Sequence, residues 1–356
     1  MGLFPKDRNL ADSPDRVVLP VRANDFQARR EEFAIRLDAF LQRRLPWRSR
    51  TSIQGLIRDG TVRVLLAGPG PEEAPGEGTA ERRCSRLLRH GMCVVVAVPP
   101  AHRLPRLAAE SADLAILFED DDVLCVDKPP FLPVHPSGRH LADSLIQRVH
   151  ARYRAAGAGE RLPLRLGHRL DRETSGAVLV GKGDAAHRHL RRQFEAGEVE
   201  KDYLAIVRGS PAADEGLVTL PLGPAHAGAV RLKMIVSMDG LPAETSWTVV
   251  ERHGAVSLVA CRPRTGRQHQ IRVHLAAIGH PVVGDKLYGP GEEYFLRAAA
   301  GTLTPADLRA LGLPRHALHC HRLAWRSPSA GTRCAATSPL PADMRALLSA
   351  AAPEEG

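Results

Sequence analysis

Residues 166–176 read Leu-Gly-His-Arg-Leu-Asp-Arg-Glu-Thr-Ser-Gly and run directly into the apolar stretch Ala177-Val-Leu-Val-Gly181. Polar and charged side chains thus crowd a short, turn-forming segment just before a strand, where burying charge is costly unless it serves a site. His168, Arg169, Asp171, Arg172, Thr174 and Ser175 all lie there. Taken alone, the same residues would suit a surface loop closed by an Arg–Asp salt bridge. A second cluster, Arg264-Thr-Gly-Arg-Gln-His-Gln-Ile-Arg-Val-His274, predicts a helix over 267–278, because Ile271, Leu275 and Ile278 make an apolar stripe that Gly279 ends. Gln268 and Arg272 fall four residues apart at the edge of that stripe. A half-buried Arg272 needs a carboxylate or a phosphate, and an aspartate beside it would stay ionised and be held in one rotamer.

Around these clusters the periodicity alternates between strand and helix. Val123-Leu-Cys-Val126, Ala177–Gly181, Tyr203-Leu-Ala-Ile-Val207 and Ser257–Ala260 read as strands. Leu145, Val149 and Tyr153 mark one helix face, and Ala186, Leu190 and Phe194 another, with Asp184 placed to cap it and Gly197 to end it. The acidic run Glu119-Asp-Asp-Asp122 lacks interleaved ligands or an EF-hand glycine, so it reads as a turn into a strand rather than a metal site. The expected class is α+β, with a mixed, mainly antiparallel sheet.

The N-terminal third has a different character. Residues 1–28 are polar and aperiodic, and Gly68 to Thr79 is a Gly/Pro/Glu-rich loop. Between them Phe33, Leu37, Phe40 and Leu41 recur at helical spacing. Ser49 or Thr51 can cap a second short helix carrying Ile53, Leu56 and Ile57, which Gly60 would stop. Strand-like Val62-Arg-Val-Leu-Leu and Val94-Val-Val-Ala-Val complete a small α/β module. Residues 29–66 carry nine arginines against four acids, an excess of five in a chain whose net charge is +9. Clustered on two short helices, these arginines point to a phosphate-contacting surface as well as to a merely solvated one.

Composition narrows the function classes. The 356 residues are 44% hydrophobic and 25% charged, ordinary for a folded chain with a sizeable core. Lysine occurs only at 6, 128, 182, 201, 233 and 286, so 43 of the 49 basic residues are arginines, which fork to phosphates better than lysine does. Six cysteines, at 84, 93, 125, 261, 320 and 334, include no Cys-x-x-Cys pair, and no apolar leader follows Met1, which fits reduced thiols in a cytoplasmic protein. The longest apolar run, Met92 to Val98, is far short of the ~18 residues a membrane span needs. His316, His319, Cys320 and His321 lack the paired spacing of a metal site, and Gly181-Lys-Gly183 lacks the remaining residues of a nucleotide-binding loop.

His168-Arg-Leu-Asp171 with Thr174-Ser-Gly176 resembles the active-site motif of RluA-type pseudouridine synthases. The resemblance extends in order through Val126-Asp-Lys-Pro-Pro130, Val134-His-Pro136, Lys201-Asp-Tyr203-Leu-Ala, Ala243-Glu-Thr245, Gly266–His274, Gly279-His-Pro-Val-Val-Gly-Asp285 and Leu318-His319. It covers about residues 115–345. The sequence departs from the family at Gln268, where threonine is usual. Separately, Arg36 to Val64 is similar to the S4-like RNA-binding domain, except that Leu65-Leu66-Ala67-Gly68 replaces the usual Asn-Gly turn.

The resemblance implies an isomerase that breaks the N1–C1′ bond of a uridine in RNA, turns the base and rejoins it through C5. Asp171 would be the nucleophile, at ribose C1′ or uracil C6, with Arg272 as its ion-pair partner and Tyr203 packed on the target base. Arg169, His168, Lys201, Arg267, His269 and Gln270 would contact the substrate. Lys128 and Arg267 match motif positions with RNA-contacting or structural roles rather than chemical ones. Arg36, Arg48, Arg50 and Arg58 would contact RNA from the S4-like module. The expected organisation is a polar extension at 1–28, the S4-like domain at 29–100, a linker at 101–114, the catalytic domain at 115–345 and a tail at 346–356. Large-subunit ribosomal RNA is the favoured substrate, acted on by a monomer with no metal and no cofactor, since isomerisation conserves every atom. Transfer RNA as substrate, or a non-catalytic RNA-binding protein of the same fold, are the alternatives.

Overall fold

The computed structural model describes residues 16–25, 34–45, 49–66, 79–97, 113–136, 143–156 and 163–351. The chain divides into two compact units, Met1–Leu107 with His135–Ala142, and Ala108–Val134 with Asp143–Gly356.

The described part of the first unit runs β1 (Arg16–Pro20), β2 (Ala34–Arg36), α1 (Leu37–Arg44), α2 (Arg50–Arg58), β3 (Val62–Leu65), β4 (Leu87–Arg89) and β5 (Cys93–Ala97). Leu37, Phe40 and Leu41 of α1 share one core with Ile53, Leu56 and Ile57 of α2 and with Val62, Val94 and Val96. Ser49 caps α2, its hydroxyl accepting from the Ser52 N–H at 3.2 Å, and Gly60 follows at positive φ, as the sequence predicts. The first helix starts only at Leu37, because Ala34–Arg36 pairs antiparallel with β4. Antiparallel pairing puts β5 between β1 and β3. The expected polar extension is therefore corrected from residue 16 onward. Val17 and Val21 are buried, but a strand with one apolar face and so few residues leaves almost no pattern to read. Arg48 and Phe33 lie outside the described residues, as does the Gly/Pro/Glu loop apart from Thr79.

In the second unit, β6 (Ala115–Glu119) and β7 (Val123–Lys128) form a hairpin whose acidic turn is closed by Asp120, which accepts from the N–H groups of Asp122 and Val123 at 2.9 and 2.6 Å. Helix α3 (Leu145–Ala155) and β8 (Leu164–Leu166) lead to β9 (Ser175–Lys182), α4 (Asp184–Ala196) and β10 (Glu200–Arg208). Asp184 is the first residue of α4 and pairs with Arg165, so the capping position falls to Gly183. Then come β11 (Glu215–Val218), β12 (Leu222–Pro224), β13 (Met234–Val236), β14 (Thr245–His253) and β15 (Val256–Pro263). Helices α5 (Gln270–Ala277), α6 (Glu292–Ala300) and α7 (Pro305–Leu311) precede β16 (Leu318–Arg326), β17 (Arg333–Thr337) and α8 (Ala342–Ala351).

Ten strands make one sheet in the order β11-β14-β15-β10-β16-β9-β7-β6, with β17 beside β16 and β8 beside β9. All described pairings in it are antiparallel but one. That one, β9 with β16, aligns Ser175 with His319 and Gly176 with Cys320. Gly176 has φ +110°, and a Cβ there would overlap the Cys320 carbonyl, so only glycine allows the two strands to meet. The class is α+β, mixed and mainly antiparallel, as the sequence indicates. The expected tail at 346–356 is corrected up to residue 351, because α8 continues through it and buries Met344 and Leu348, four residues apart. Of the expected linker only Asp113 and Leu114 are described, and Leu114 is buried.

Candidate active site

The loop between β8 and β9 is fixed from both ends. His168 accepts the Leu179 N–H on Nε2 at 3.2 Å and packs its ring 4.7 Å from that of Phe194. Burial and the nearby Lys201 ammonium push its imidazole down to about 3, so the ring is a neutral anchor for the loop. At the other end Thr174 donates its Oγ1 proton or accepts one at His316 Nε2, 2.7 Å away, and Ser175 Oγ lies 3.0 Å from His319 Nδ1. The Thr174 N–H reaches back to the Asp171 carbonyl at 3.2 Å, which closes the turn around the charged residues. Beneath it, Lys128 is fully buried and donates to the carbonyls of Pro129, Leu132 and Arg172 at 2.8, 2.9 and 3.1 Å. Burial pushes this ammonium down to about 7, while three carbonyl acceptors satisfy all its N–H groups. Lys128 therefore holds the loop in place.

The turn presents Asp171 to Arg272, whose Nη1 donates to Asp171 Oδ2 at 2.8 Å. Helix α5 starts three residues later than the spacing predicts, since His269 takes a left-handed conformation (φ 57°, ψ 14°) as its N-cap. Gln268 lies before the helix rather than on it. From Gln270 to Leu275 every residue is buried, so α5 lies inside the unit and Arg272 is not at an edge. Its other two nitrogens donate to Asp285, Nε to Oδ2 at 2.6 Å and Nη2 to Oδ1 at 2.9 Å. Asp285 is fully buried and also accepts the N–H groups of Leu287 and Tyr288 on Oδ1. The guanidinium further lies 5.0 Å from the centre of the Tyr288 ring. One arginine is thus shared by two carboxylates, one sealed and one facing out.

Asp171 keeps 27% of its side chain open to solvent. Burial raises its carboxyl, but Arg272 outweighs that, with smaller contributions from His269 and His316, and the group falls to about 2. His269 is itself pushed down to about 4, chiefly by burial, so at neutral pH the hold on Asp171 comes from Arg272. Oδ2 is engaged by the arginine, and Oδ1 has the His269 Nε2 at 3.9 Å, beyond hydrogen-bond range. The arrangement supplies an ionised carboxylate with one oxygen free to attack.

Tyr203 is buried on β10 opposite Cys320 on β16. Its phenol is raised well above the ordinary value, first by burial and then by the neighbouring Cys320 thiol and Asp171. Lys201 is half-buried and its ammonium is lowered by burial. Arg169 and Arg267 are exposed, Arg267 donating through Nε to the Pro242 carbonyl at 3.0 Å. Gln270 is buried, and its amide is occupied by Glu244 O, Thr245 Oγ1, Thr265 Oγ1 and the Arg267 N–H. Like His168, it braces the site from behind. In the first unit Arg36 forks onto the buried Asp38 at 3.0 and 2.9 Å, while Arg50 and Arg58 are exposed.

Sequence reasoning missed Asp285, Tyr288 and a second ion pair in which Lys286 grips both oxygens of Glu173 at 2.9 Å. Asp285 ends a motif that the sequence singles out, and Tyr288 and Lys286 follow it directly. The signal was present, but which acid meets Arg272 depends on the fold.

A profile of the RNA pseudouridylate synthase family matches residues 122–277. The ribosomal large subunit pseudouridine synthase D of Nitrosomonas europaea is 37% identical over 322 residues, covering 89% of this chain and 84% of that protein. The chain belongs to the RNA pseudouridine synthase family. The uncharacterised RNA pseudouridine synthase YlyB of Bacillus subtilis is 34% identical, covering 91% of this chain and 96% of that synthase. The solved structure of human RNA pseudouridylate synthase domain containing 1 superposes with a TM-score of 0.50 at 28% identity, over 64% of this chain and 84% of that one. The RluA-type resemblance is thereby borne out, and the protein is an isomerase of RNA uridines. Among the described residues of this synthase no helix is long and apolar enough to cross a membrane. His316, His319 and His321, which invite a metal reading, each hold hydrogen bonds within the fold instead.

Proposed function

We propose that this synthase converts uridine to pseudouridine in large-subunit ribosomal RNA, with Asp171 as the nucleophile at C1′ or C6. The observation that carries the reading is the Asp171 carboxylate, ionised at neutral pH, pinned through one oxygen by a buried arginine and open on the other. A covalent bond to that oxygen divides one difficult cleavage into two easier steps. The ribosomal substrate is supported by the names of relatives such as the Nitrosomonas europaea enzyme.

The target base has to leave its stack, at a cost of a few kcal/mol. Tyr203 packs on it, and Arg169 supports the extruded nucleotide or fills the space it vacates. Lys201 and Arg267 contact the RNA near the pocket. The first unit acts as an S4-like docking module, with Arg50 and Arg58 exposed on its two-helix face. Because no atom is gained or lost, the reaction calls for no metal or cofactor, and a cytoplasmic monomer suffices.

Asp171→Asn is expected to abolish pseudouridine formation, by on the order of 10⁴-fold or more, while RNA binding stays largely intact. Product formed by that variant at the ordinary rate would remove Asp171 as nucleophile. Mapping pseudouridines in RNA from cells with and without the gene tests the substrate. Sites lost from transfer RNA alone would exclude the ribosomal assignment.

A further inference from the structure

Tyr288 stands between the two groups that face Asp171. Its ring packs under the Arg272 guanidinium, and its hydroxyl lies 2.8 Å from His269 Nδ1 and 2.9 Å from the backbone nitrogen of Met234. A phenol has one proton to give and accepts in return. The Met234 N–H can only donate, so it takes a lone pair of the hydroxyl oxygen. The phenolic proton then falls to its other neighbour, His269 Nδ1. With Nδ1 accepting, a neutral imidazole carries its own proton on Nε2, the nitrogen 3.9 Å from Asp171 Oδ1.

The tautomer matters because of where Nε2 sits. The left-handed backbone of His269 is unusual for a residue with a side chain, and strain of this kind is kept where surrounding contacts impose it. It brings the ring beside the free oxygen of Asp171 without a hydrogen bond to it. An imidazolium there would pair with the carboxylate and cover the attacking oxygen. A neutral ring with Nδ1–H would aim a bare lone pair at an anion. Only the neutral Nε2–H form offers a donor next to a carboxylate that remains free.

We propose that Tyr288 is a positioning residue that fixes His269 as the Nε2–H tautomer, so that His269 donates a hydrogen bond to an acceptor oxygen of the target nucleotide beside Asp171. This rests on Asp171 being the reacting carboxylate. The Tyr288 hydroxyl, on a segment far from the motif in which His269 lies, then sets the donor on the reacting side of the pocket.

The test combines spectroscopy with kinetics on the full chain. Histidine is labelled with ¹⁵N, and the His269 signals are assigned by their loss in His269→Gln. In the free enzyme at neutral pH, Nδ1 should resonate as an unprotonated nitrogen and Nε2 as a protonated one. Tyr288→Phe keeps the ring under Arg272 and should move both signals towards a mixture of tautomers. Activity is read as tritium released from uridine C5 in total RNA of cells lacking the gene, because C5 exchanges its hydrogen for the new glycosidic bond. Tyr288→Phe should lower kcat about tenfold, the loss of one hydrogen bond, with apparent KM changed by less than about twofold. His269→Gln places an amide N–H near the Nε2 position, and adding Tyr288→Phe to it should cost less than about twofold more. A wild-type His269 protonated on Nδ1 overturns the proposal, as does a Tyr288→Phe loss of the same size in both backgrounds. If Asp171→Asn abolishes release while Tyr288→Phe changes neither tautomer nor rate, only this assignment fails. Undiminished release by Asp171→Asn would instead remove the reading on which it stands.

Discussion

Arg36 in the first unit and Arg272 in the second both fork onto a buried aspartate, yet half of the Arg36 side chain stays in water whereas Arg272 is 7% exposed. At the surface, solvent competes for the guanidinium and screens the pair, which therefore contributes little. Around Arg272 the same chemistry is enclosed, so neither carboxylate can be removed without leaving a charge unmet. The same residue type thus closes a solvent-open pair in one unit and an enclosed pair in the other. That difference makes the two units respond in opposite ways to perturbation.

The hardest test of the enclosed pair is Asp285→Ala. Removing this carboxylate leaves part of the buried guanidinium unpaired and should cost about 3–5 kcal/mol, measured by urea unfolding. A loss below about 1 kcal/mol would mean that the arginine is no better enclosed than its surface counterpart.

Acid should separate the units next. Burial lowers His168, His269 and His319 to about 3, 4 and 4. A histidine lowered in the folded state binds its proton first in the unfolded chain, so the stability it contributes is full above pH about 6.5 and falls as the pH drops towards 4. Each should remove on the order of 2–3 kcal/mol from the second unit by pH 4. Among the described residues of the first unit His90 is exposed and His135 half-buried, whereas His274, His316 and His319 of the second are fully buried. Asp38 of the first unit, lowered by Arg36, keeps its contribution until the pH falls below the ordinary carboxylate range. Hydrogen exchange followed by mass spectrometry from pH 7 to 4 should show the second unit opening first, and simultaneous opening would contradict the assignment.

A smaller effect is expected at Glu173→Gln, which breaks the Lys286 pair under the turn that carries Asp171 while keeping its shape. Stability should fall by about 1–3 kcal/mol, with kcat reduced more than RNA affinity, since the turn carrying Asp171 loses one of its fastenings. At the other extreme, Arg50→Ala with Arg58→Ala should change stability by less than about 0.5 kcal/mol. It should nonetheless flatten the salt dependence of RNA binding by about one to two units of slope, read from a titration of Kd against salt. An unchanged slope would take those two arginines off the RNA.

Much of this was legible in the sequence wherever the signal was local. The cap at Ser49, the acidic turn before Val123 and the stop of α4 at Gly197 follow from neighbouring residues and stand in the fold, whereas the cap expected at Asp184 falls one residue earlier, at Gly183. The Asp171–Arg272 pair was legible because the two motifs carrying it could be recognised together, although 101 residues separate them. What escaped depends on tertiary placement. Nothing near Gly279–Asp285 reveals that its last residue completes the coordination of Arg272, nor that Tyr288 reaches back to His269. Strand β1 escaped because one buried face over five residues is too short a pattern. Helix α7 carried a readable signal, with Thr304 and Asp307 forming a reciprocal cap before Leu308, but no motif drew attention to it.

Strand β16 also has a temporal consequence. Chain segments 115–182 and 200–263 contribute neighbouring strands to each side of the sheet, β6-β7-β9 on one and β10-β15-β14-β11 on the other. The strand that lies between β9 and β10 starts only at Leu318. While the chain is being synthesised, two partial sheets can therefore assemble early, each with an unpaired edge that invites association with other chains. Those edges carry Ser175 and Tyr203, so the two are joined through the sheet only when β16, which starts at Leu318 of the 356 residues, slots between them. Completion of the sheet and protection of its edges arrive in a single late event.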